Sequence, residues 1–237
     1  SRTLAPPHVA TASAAERAAV VLSPGRASIV HDAEAYRQTA PDGSVSTWQE
    51  ETWRQTTRPY AQRELLTHQD GVAIETATMG EGPTELYDPA ANIIYTNPPA
   101  GAPALATPMP ASDGDPLVTE LVDILRSGDA HAVRRYTIGG RAVISFAYDN
   151  PVPGHGVAHW TYVVDAGTYQ PLRLSTTSPD GLRTTEQFLT YEALKPSAQT
   201  NALLSLRAVH PDATVDATRA GYQAAQARLS SPVAPGG

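Results

Sequence analysis

Apolar and polar residues alternate along three consecutive segments between residues 159 and 194. In the first segment Trp160, Tyr162 and Val164 fall on one face, because successive side chains of a strand point to opposite sides. A Gly-containing turn follows that segment, and the sequence Pro-Asp-Gly follows the second; both supply the backbone angles that tight hairpins need. The pattern predicts a three-stranded antiparallel meander.

A helical period replaces the alternation at residues 116–127. Leu117, Leu121 and Leu125 lie one turn apart and share a face with Ile124, which is the stripe of a helix that packs on a sheet. The segment begins at a proline, which suits the first turn, and a glycine follows its end. The pattern predicts one amphipathic helix here.

Further elements are predicted along the rest of the chain from the same two periods and from turn residues. The predicted strands are residues 26–38, 45–57, 60–67, 72–79, 85–87, 92–95, 132–138 and 141–148. Two more helices are predicted, at residues 12–22 and 212–229. This order of elements indicates an α+β fold with one long, curved antiparallel sheet and two or three helices on its concave side.

A proline-rich segment interrupts the strands at residues 97–115, where neither a ladder nor a helix tolerates so many missing N–H groups. It is either a linker between two domains or a loop within one. We expect a loop, because neither half has enough apolar strands to close a core alone. The expected organisation is a flexible stalk at residues 1–11, one domain at 12–229 and a loose C-terminus at 230–237.

Charge and composition remove several functional classes. The net charge is −7, whereas phosphate binding needs clustered lysines and arginines, so no nucleic-acid partner is expected. The chain has no cysteine, which excludes thiolate metal sites, disulfides and a cysteine nucleophile. No apolar run approaches the ~18 residues of a membrane helix.

Candidate catalytic and metal-binding residues are few. His155 and His159 lie in a β-prone stretch, where a strand holds them ~13 Å apart, too far to share a zinc ion. Asp113 and Asp115 lack the further ligands of a calcium loop. No nucleophile or phosphate-binding motif is present. We therefore expect no enzyme, no cofactor and no metal site, with a cell-wall or lipid hydrolase as a remote alternative.

The meander also carries a family resemblance. Its sequence has an aromatic, a short apolar run, Asp165, a Gly-Thr turn, Pro171-Leu172, a turn with Gly181, and then Phe188, Tyr191 and Leu194. This order resembles the lipoprotein-carrier family, LolA and LolB. It is also similar to their relatives, the RseB sensor domain and the mycobacterial lipoproteins LppX and LprG. The resemblance implies a half-barrel, an unclosed antiparallel sheet wrapped around helices, with an apolar cavity for acyl chains.

The resemblance implies a function as well. The expected role is non-enzymatic binding or carriage of a lipid or an acylated ligand outside the cytoplasm, in the periplasm or at the cell surface. A membrane anchor before Ser1, or a membrane-associated partner protein, would fit that role. The alternative is an RseB-like sensor or protein-interaction domain that regulates an envelope-stress response.

Strand parity and the helix stripe give the residues expected to line the cavity. They are Ile29, Val72, Ile74, Leu117, Leu121, Leu125, Ile144, Phe146, Trp160, Tyr162, Leu172 and Leu174. Each strand position in this set depends on an uninterrupted alternation, because a bulge moves the neighbouring side chains to the other face.

Overall fold

The computed structural model describes residues 29–80, 82–99, 116–167 and 170–230. The predicted helix at 12–22, both termini and most of the proline-rich segment lie outside these residues. The strands in the described part are β1 (Ile29–Thr39), β2 (Val45–Gln55), β3 (Ala61–His68), β4 (Ala73–Met79), β5 (Glu85–Asp88), β6 (Ile93–Tyr95), β7 (His131–Ile138), β8 (Arg141–Val152), β9 (Gly156–Asp165), β10 (Pro171–Thr177), β11 (Arg183–Leu194) and β12 (Thr214–Asp216). The helices are α1 (Pro116–Ser127), α2 (Ala198–Ala202), α3 (Leu206–Val209) and α4 (Arg219–Ser230).

All of these strands belong to one sheet, in the order β12-β6-β5-β4-β3-β2-β1-β11-β10-β9-β8-β7. The sheet is open, because β12 and β7 are its edges and do not pair with each other. Its pairs are mostly antiparallel, and β12 with β6 is parallel. The predicted α+β class with a single, mainly antiparallel sheet is confirmed.

The meander predicted from the sequence is β9, β10 and β11. β10 pairs antiparallel with β9 on one side and with β11 on the other. Gly181, in the second turn, has a φ of 87°, a conformation that glycine adopts without strain. The turn closes through Gly181 N–H, which donates to the Ser178 carbonyl over 2.9 Å.

The predicted closing helix at residues 212–229 begins later than expected. Residues 214–216 form β12, which pairs with β6 from Thr214 opposite Ile93 to Asp216 opposite Tyr95. Asp216 then accepts a hydrogen bond from the Thr218 N–H over 2.7 Å and leads the chain into α4. β-branched residues opposite β6 favour the strand over the helix here.

The described chain divides into two compact units. Unit 1 contains residues 34–47, 116–167 and 170–191, and unit 2 contains residues 29–33, 48–80, 82–99 and 192–230. The boundary falls inside β1, β2 and β11. The expectation of one cooperative domain stays a prediction.

Each unit has its own buried clusters. In unit 1, α1 packs against strands β8–β11. We call the buried residues at this contact the α1 layer. They are Leu121, Ile124, Leu125, Ala130, Ile144, Phe146, Tyr162, Val164, Leu174 and Phe188. In unit 2, α4 packs through Tyr222, Ala225 and Leu229 on Ile74, Leu86 and Tyr95. Two further clusters of unit 2 contain the buried leucines of the segment from β11 to α3, Leu204 and Leu206.

Candidate functional site: the α1 layer and the polar faces of unit 2

The α1 layer follows from the spacing of apolar residues in α1. Leu121 and Leu125 are four residues apart, so both point to the sheet, and they are 1% and 3% exposed. Leu117, one turn earlier, is half-buried and packs against the same set. Gly128 follows the helix with a φ of 80°, as expected for a helix-ending glycine.

The sheet side of the layer is set by strand register. Phe146 on β8 lies opposite Tyr162 on β9, and Tyr162 lies opposite Leu174 on β10. The rings of Phe146 and Tyr162 stack with centroids 5.1 Å apart and planes 18° from parallel. Three neighbouring strands therefore present one continuous apolar row to α1.

One polar atom is buried in this row. The Tyr162 hydroxyl has no hydrogen-bond partner in the described chain. Burial raises the pKa of Tyr162 above its usual value, and the nearby Glu120, Glu186 and Tyr148 raise it further. The hydroxyl therefore keeps its proton and is a donor without an acceptor, which costs about 1–3 kcal/mol when a group is buried in this way.

The border of the layer is only half-buried. Leu117, Tyr148 and Trp160 pack against the buried residues and remain partly accessible. Glu120, on the turn of α1 between Leu117 and Leu121, has its pKa raised by desolvation. The border thus combines aromatic surface with a carboxyl group that is poorly hydrated.

The structure brings together eight of the twelve residues predicted to line a cavity. Within the α1 layer or packed directly on it are Leu117, Leu121, Leu125, Ile144, Phe146, Trp160, Tyr162 and Leu174. These eight come from one helix and three neighbouring strands of unit 1.

The other four residues lie elsewhere. Ile74 is buried under α4 with Val72 packed beside it, and Ile29 is buried with Trp53 and Leu204 in another cluster of unit 2. Leu172 is half-buried and is not part of the α1 layer, because the register of β10 against β9 shifts between Pro171 and Arg173. This β-bulge interrupts the alternation on which its assignment depended.

Unit 2 buries charged residues beside its apolar clusters. We call the first set, on one side of β1–β5, the ionic face: His31, Glu51, Trp53, Arg63, Glu75, Tyr87 and His210. Arg63 lies over the ring of Trp53, with its guanidinium carbon 3.6 Å from the centroid, and donates to Glu75 over 2.5 Å. Both Arg63 and Glu75 are buried.

The ionic face holds the C-terminal part of unit 2 on the strands. Arg63 Nε–H donates to the Leu203 carbonyl, and His210 Nε2 lies 2.7 Å from Glu75 Oε2. His210 also stacks on Tyr87, with centroids 3.7 Å apart. These contacts join β3, β4 and β5 to the segment around α3, so the ionic face has a clear structural role.

His31 occupies the other end of the ionic face. Its ring stacks on Trp53 at 4.8 Å, and its two nitrogens lie 2.8 Å from Glu51 and 2.9 Å from Glu192. Together with Arg63, which covers Trp53, His31 completes a row of stacked planar groups. No sequence motif marks these residues. The one available signal was their position in the strand alternation, which places them on a face that also carries buried apolar residues.

The opposite side of the same strands carries a second polar set, which we call the carboxylate face: Asp32, Glu50, Thr52, Arg54, Gln62, Glu64 and Thr76. Arg54 donates to Asp32 over 2.6 Å, and Gln62 donates to Glu64 over 3.1 Å. Desolvation, followed by the charges of Glu64 and Asp32, raises the pKa of Glu50 to about 7. This face therefore contains a carboxyl group that titrates near neutrality.

The described residues offer neither a metal site nor a membrane-spanning helix. Within them, no three histidine, cysteine, aspartate or glutamate side chains are placed so as to hold a metal ion. None of the helices in the described segments has the length and apolarity needed to cross a membrane.

No family model matches the chain, and no curated protein does. Solved structures do resemble it. MucB of Pseudomonas aeruginosa, in its complex with MucA, is 19% identical with a TM-score of 0.41 over 80% of this chain, and the chain spans 59% of that MucB. LprF of Mycobacterium bovis is 11% identical with a TM-score of 0.42, covering 79% of this chain and 95% of LprF.

A LolA superfamily protein of Nitrosomonas europaea is also similar, at 10% identity and a TM-score of 0.29, over 82% of this chain and 97% of that one. These identities and TM-scores leave the function to be argued from the chain's own residues. That protein belongs to the LolA superfamily, which the sequence of the meander also resembles.

Proposed function

We propose that unit 1 binds an apolar or acylated ligand at the α1 layer, without catalysis, and that the protein acts outside the cytoplasm as a carrier or binding protein. The observation that carries the proposal is the Tyr162 hydroxyl, a protonated donor with no acceptor among the described residues, inside an otherwise apolar row. An ester or amide carbonyl at the head of an acyl chain supplies the missing acceptor.

The apolar part of such a ligand would supply most of the affinity. Each CH₂ that leaves water contributes ~0.8 kcal/mol, so even a partly inserted chain yields a useful binding energy. The half-buried border, with Leu117, Tyr148 and Trp160, is where a chain would enter between α1 and the strands. Tyr162 would then fix the depth of insertion through a single hydrogen bond to the carbonyl.

The decisive experiment combines extraction with a designed variant. Organic extracts of the purified protein are examined by mass spectrometry for lipid, and a fluorescent monoacylglycerol is titrated against the wild type and Tyr162→Phe. We expect saturable binding, weakened about tenfold by Tyr162→Phe. A fluorescent alkane of the same length, which lacks a carbonyl, should bind both proteins equally.

The matched control is Tyr136→Phe, which removes the same hydroxyl from an exposed tyrosine of β7 and should leave both titrations unchanged. If neither probe binds at micromolar concentration and no lipid is extracted, the proposal fails. Equal weakening by both variants would also contradict it, because the effect would then not depend on the α1 layer.

A second function is favoured by a separate observation. All ten residues of the α1 layer are at most 8% exposed, as in the packed interior of a protein. A layer of that kind fits a sensor or protein-interaction domain better than a carrier. The lipid titration separates the two, since only the carrier takes up the monoacylglycerol.

A further inference from the structure

β7 is one edge of the sheet, and no strand in the described chain lies beyond it. All of its residues except Val133 are exposed. The other edge strand, β12, has only three residues, whereas β7 has eight. An edge strand presents unpaired N–H and C=O groups along its outer side, and a long one can accept a further strand.

The two halves of β7 differ in regularity. Near its start Ala132 has a φ of 51°, and the register against β8 shifts between His131 and Arg134. A bulge of this kind hinders pairing. The five residues from Arg134 to Ile138 pair with five consecutive residues of β8, Ser145 to Arg141, without a shift. They therefore form a straight, accessible edge.

The side chains of this straight segment define the chemistry of a partner. Arg134 and Arg135 point to opposite faces and make no ion pair with any described residue. Tyr136 and Ile138, on the Arg134 face, are 42% and 53% exposed. The segment therefore offers one unpaired cation on each face, two accessible apolar side chains on one of them, and no acidic residue.

We propose that the straight segment of β7, residues 134–138, binds an extended acidic segment of a partner protein by addition of an antiparallel strand. Two consecutive acidic residues of the partner would face Arg135 and Arg134, one on each face. Apolar residues one and three positions before them would cover Tyr136 and Ile138. Backbone hydrogen bonds provide affinity in this mode, and the side chains provide specificity.

A second copy of this chain is a poorer occupant. It would bring the same two arginines and no acidic residue to the contact, so the charges would not be complementary. Arginine at an edge strand can also serve only to prevent unwanted pairing, which is a common protection of sheet edges. A titration distinguishes these cases, because a protected edge does not bind.

The probe is a capped peptide with the order serine, valine, threonine, valine, glutamate, glutamate, serine, titrated by NMR into the isotope-labelled protein. We expect shifts and slowed hydrogen exchange confined to residues 134–138. Arg134→Glu with Arg135→Glu should weaken binding about tenfold or more. Arg173→Glu with Arg183→Glu, the same charge change on β10 and β11, should leave it within about twofold.

A second peptide with N-methyl groups on alternate residues tests the backbone. It keeps the charges and side chains but cannot donate along the edge, so strand addition predicts that its binding is lost. The proposal is overturned if the methylated peptide binds as well as the first, if the Arg173/Arg183 variant loses binding equally, or if β7 instead pairs two copies of the chain. Absence of peptide binding at millimolar concentration would leave the arginines as edge protection and would also overturn it.

Discussion

The α1 layer of unit 1 and the ionic face of unit 2 each bury one side of antiparallel strands. They differ in the chemistry of the buried contacts. In the α1 layer the contacts are apolar and the exception is the Tyr162 hydroxyl. In the ionic face the buried Arg63 and Glu75 pair with each other, and His210 lies beside Glu75. His31 stacks on Trp53 and lies beside Glu51.

This difference determines which of the two can exchange its internal contacts for contacts with a ligand. Apolar contacts are non-directional, so a layer built from them can repack around an acyl chain, although forcing extra methylenes into a well-packed core costs about 1–3 kcal/mol. A buried ion pair depends on its geometry, and removing one partner leaves the other charged and dehydrated. The ionic face is therefore suited to fixing the fold, and the α1 layer is the better place for a ligand.

A charge placed in the α1 layer should destabilise the protein more than any other change considered. Leu121→Asp puts a carboxyl group at a position that is 1% exposed, with no partner charge in the α1 layer. The lost apolar contacts and the buried polar group together should lower the free energy of unfolding by about 5 kcal/mol. Urea unfolding followed by circular dichroism measures it.

Leu189→Asp is the matched control, because it makes the same change on β11 at a leucine that is 55% exposed. Its effect should stay below about 0.5 kcal/mol. If the two variants are equally stable, α1 does not pack on the strands in solution and the α1 layer is not a buried site.

The next largest loss of stability is expected when a charge is removed from the ionic face. Arg63→Ala removes the bond to Glu75, the bond to the Leu203 carbonyl and the stacking on Trp53, and it leaves the buried Glu75 with His210 as its remaining partner. We expect a loss of about 3–4 kcal/mol in the free energy of unfolding.

Arg207→Ala provides the comparison for that variant. Arg207 is exposed and lies 3.7 Å from Glu85, so its loss should cost less than about 1 kcal/mol. A destabilisation by Arg63→Ala no larger than that of Arg207→Ala would mean that the ionic face contributes little to stability. Protease sensitivity near Leu203 should increase in Arg63→Ala alone.

How much of the fold follows from the sequence depends on the range of the interactions involved. Trp160, Tyr162 and Val164 alternate strictly, and the turns beside them are local, so the meander was predicted correctly. Residues 214–216 form a strand because Ile93 lies opposite Thr214, a partner more than a hundred residues away. A helical pattern read locally does not contain that information.

The same limit applies to the sites. The α1 stripe and the parity of β8 and β9 placed Leu121, Phe146 and Tyr162 together without knowledge of the pairing. The bulge at Leu172 and the contact between Glu75 and His210 both depend on register and on distant partners. Charged residues at inward strand positions are read as solvated until the partner that buries them is known.

The two polar faces of unit 2 should respond differently to pH. The pKa of Glu50 is raised to about 7, first by desolvation and then by the charges of Glu64 and Asp32 on the carboxylate face. In the unfolded chain the same group titrates near 4.5. The folded state therefore binds the proton more strongly, and the contribution of Glu50 to stability is present below pH 4.5 and is lost as the pH rises to about 7.

Glu50→Gln should remove this loss. We expect the variant to be more stable than the wild type at pH 8 by about 2–3 kcal/mol, and to differ little at pH 4. Chemical unfolding at both pH values measures the two differences. The matched control is Glu51→Gln, on the ionic face beside His31, which should not reproduce the gain at pH 8. A pH-independent difference for Glu50→Gln would contradict the assignment.

Unit 1 and unit 2 can unfold either together or separately. β1, β2 and β11 each contribute residues to both units, so melting one unit alone would interrupt these three strands and leave backbone groups unpaired. We therefore predict a single cooperative transition. Trp160 reports on unit 1 in Trp48→Phe/Trp53→Phe, and Trp53 reports on unit 2 in Trp48→Phe/Trp160→Phe. In each variant the fluorescence midpoint should agree with its own circular-dichroism midpoint within about 2 °C, as two-state behaviour requires. A clear separation of the two midpoints in either variant would show that the units melt independently, and the α1 layer could then loosen around a ligand while the ionic face stays folded.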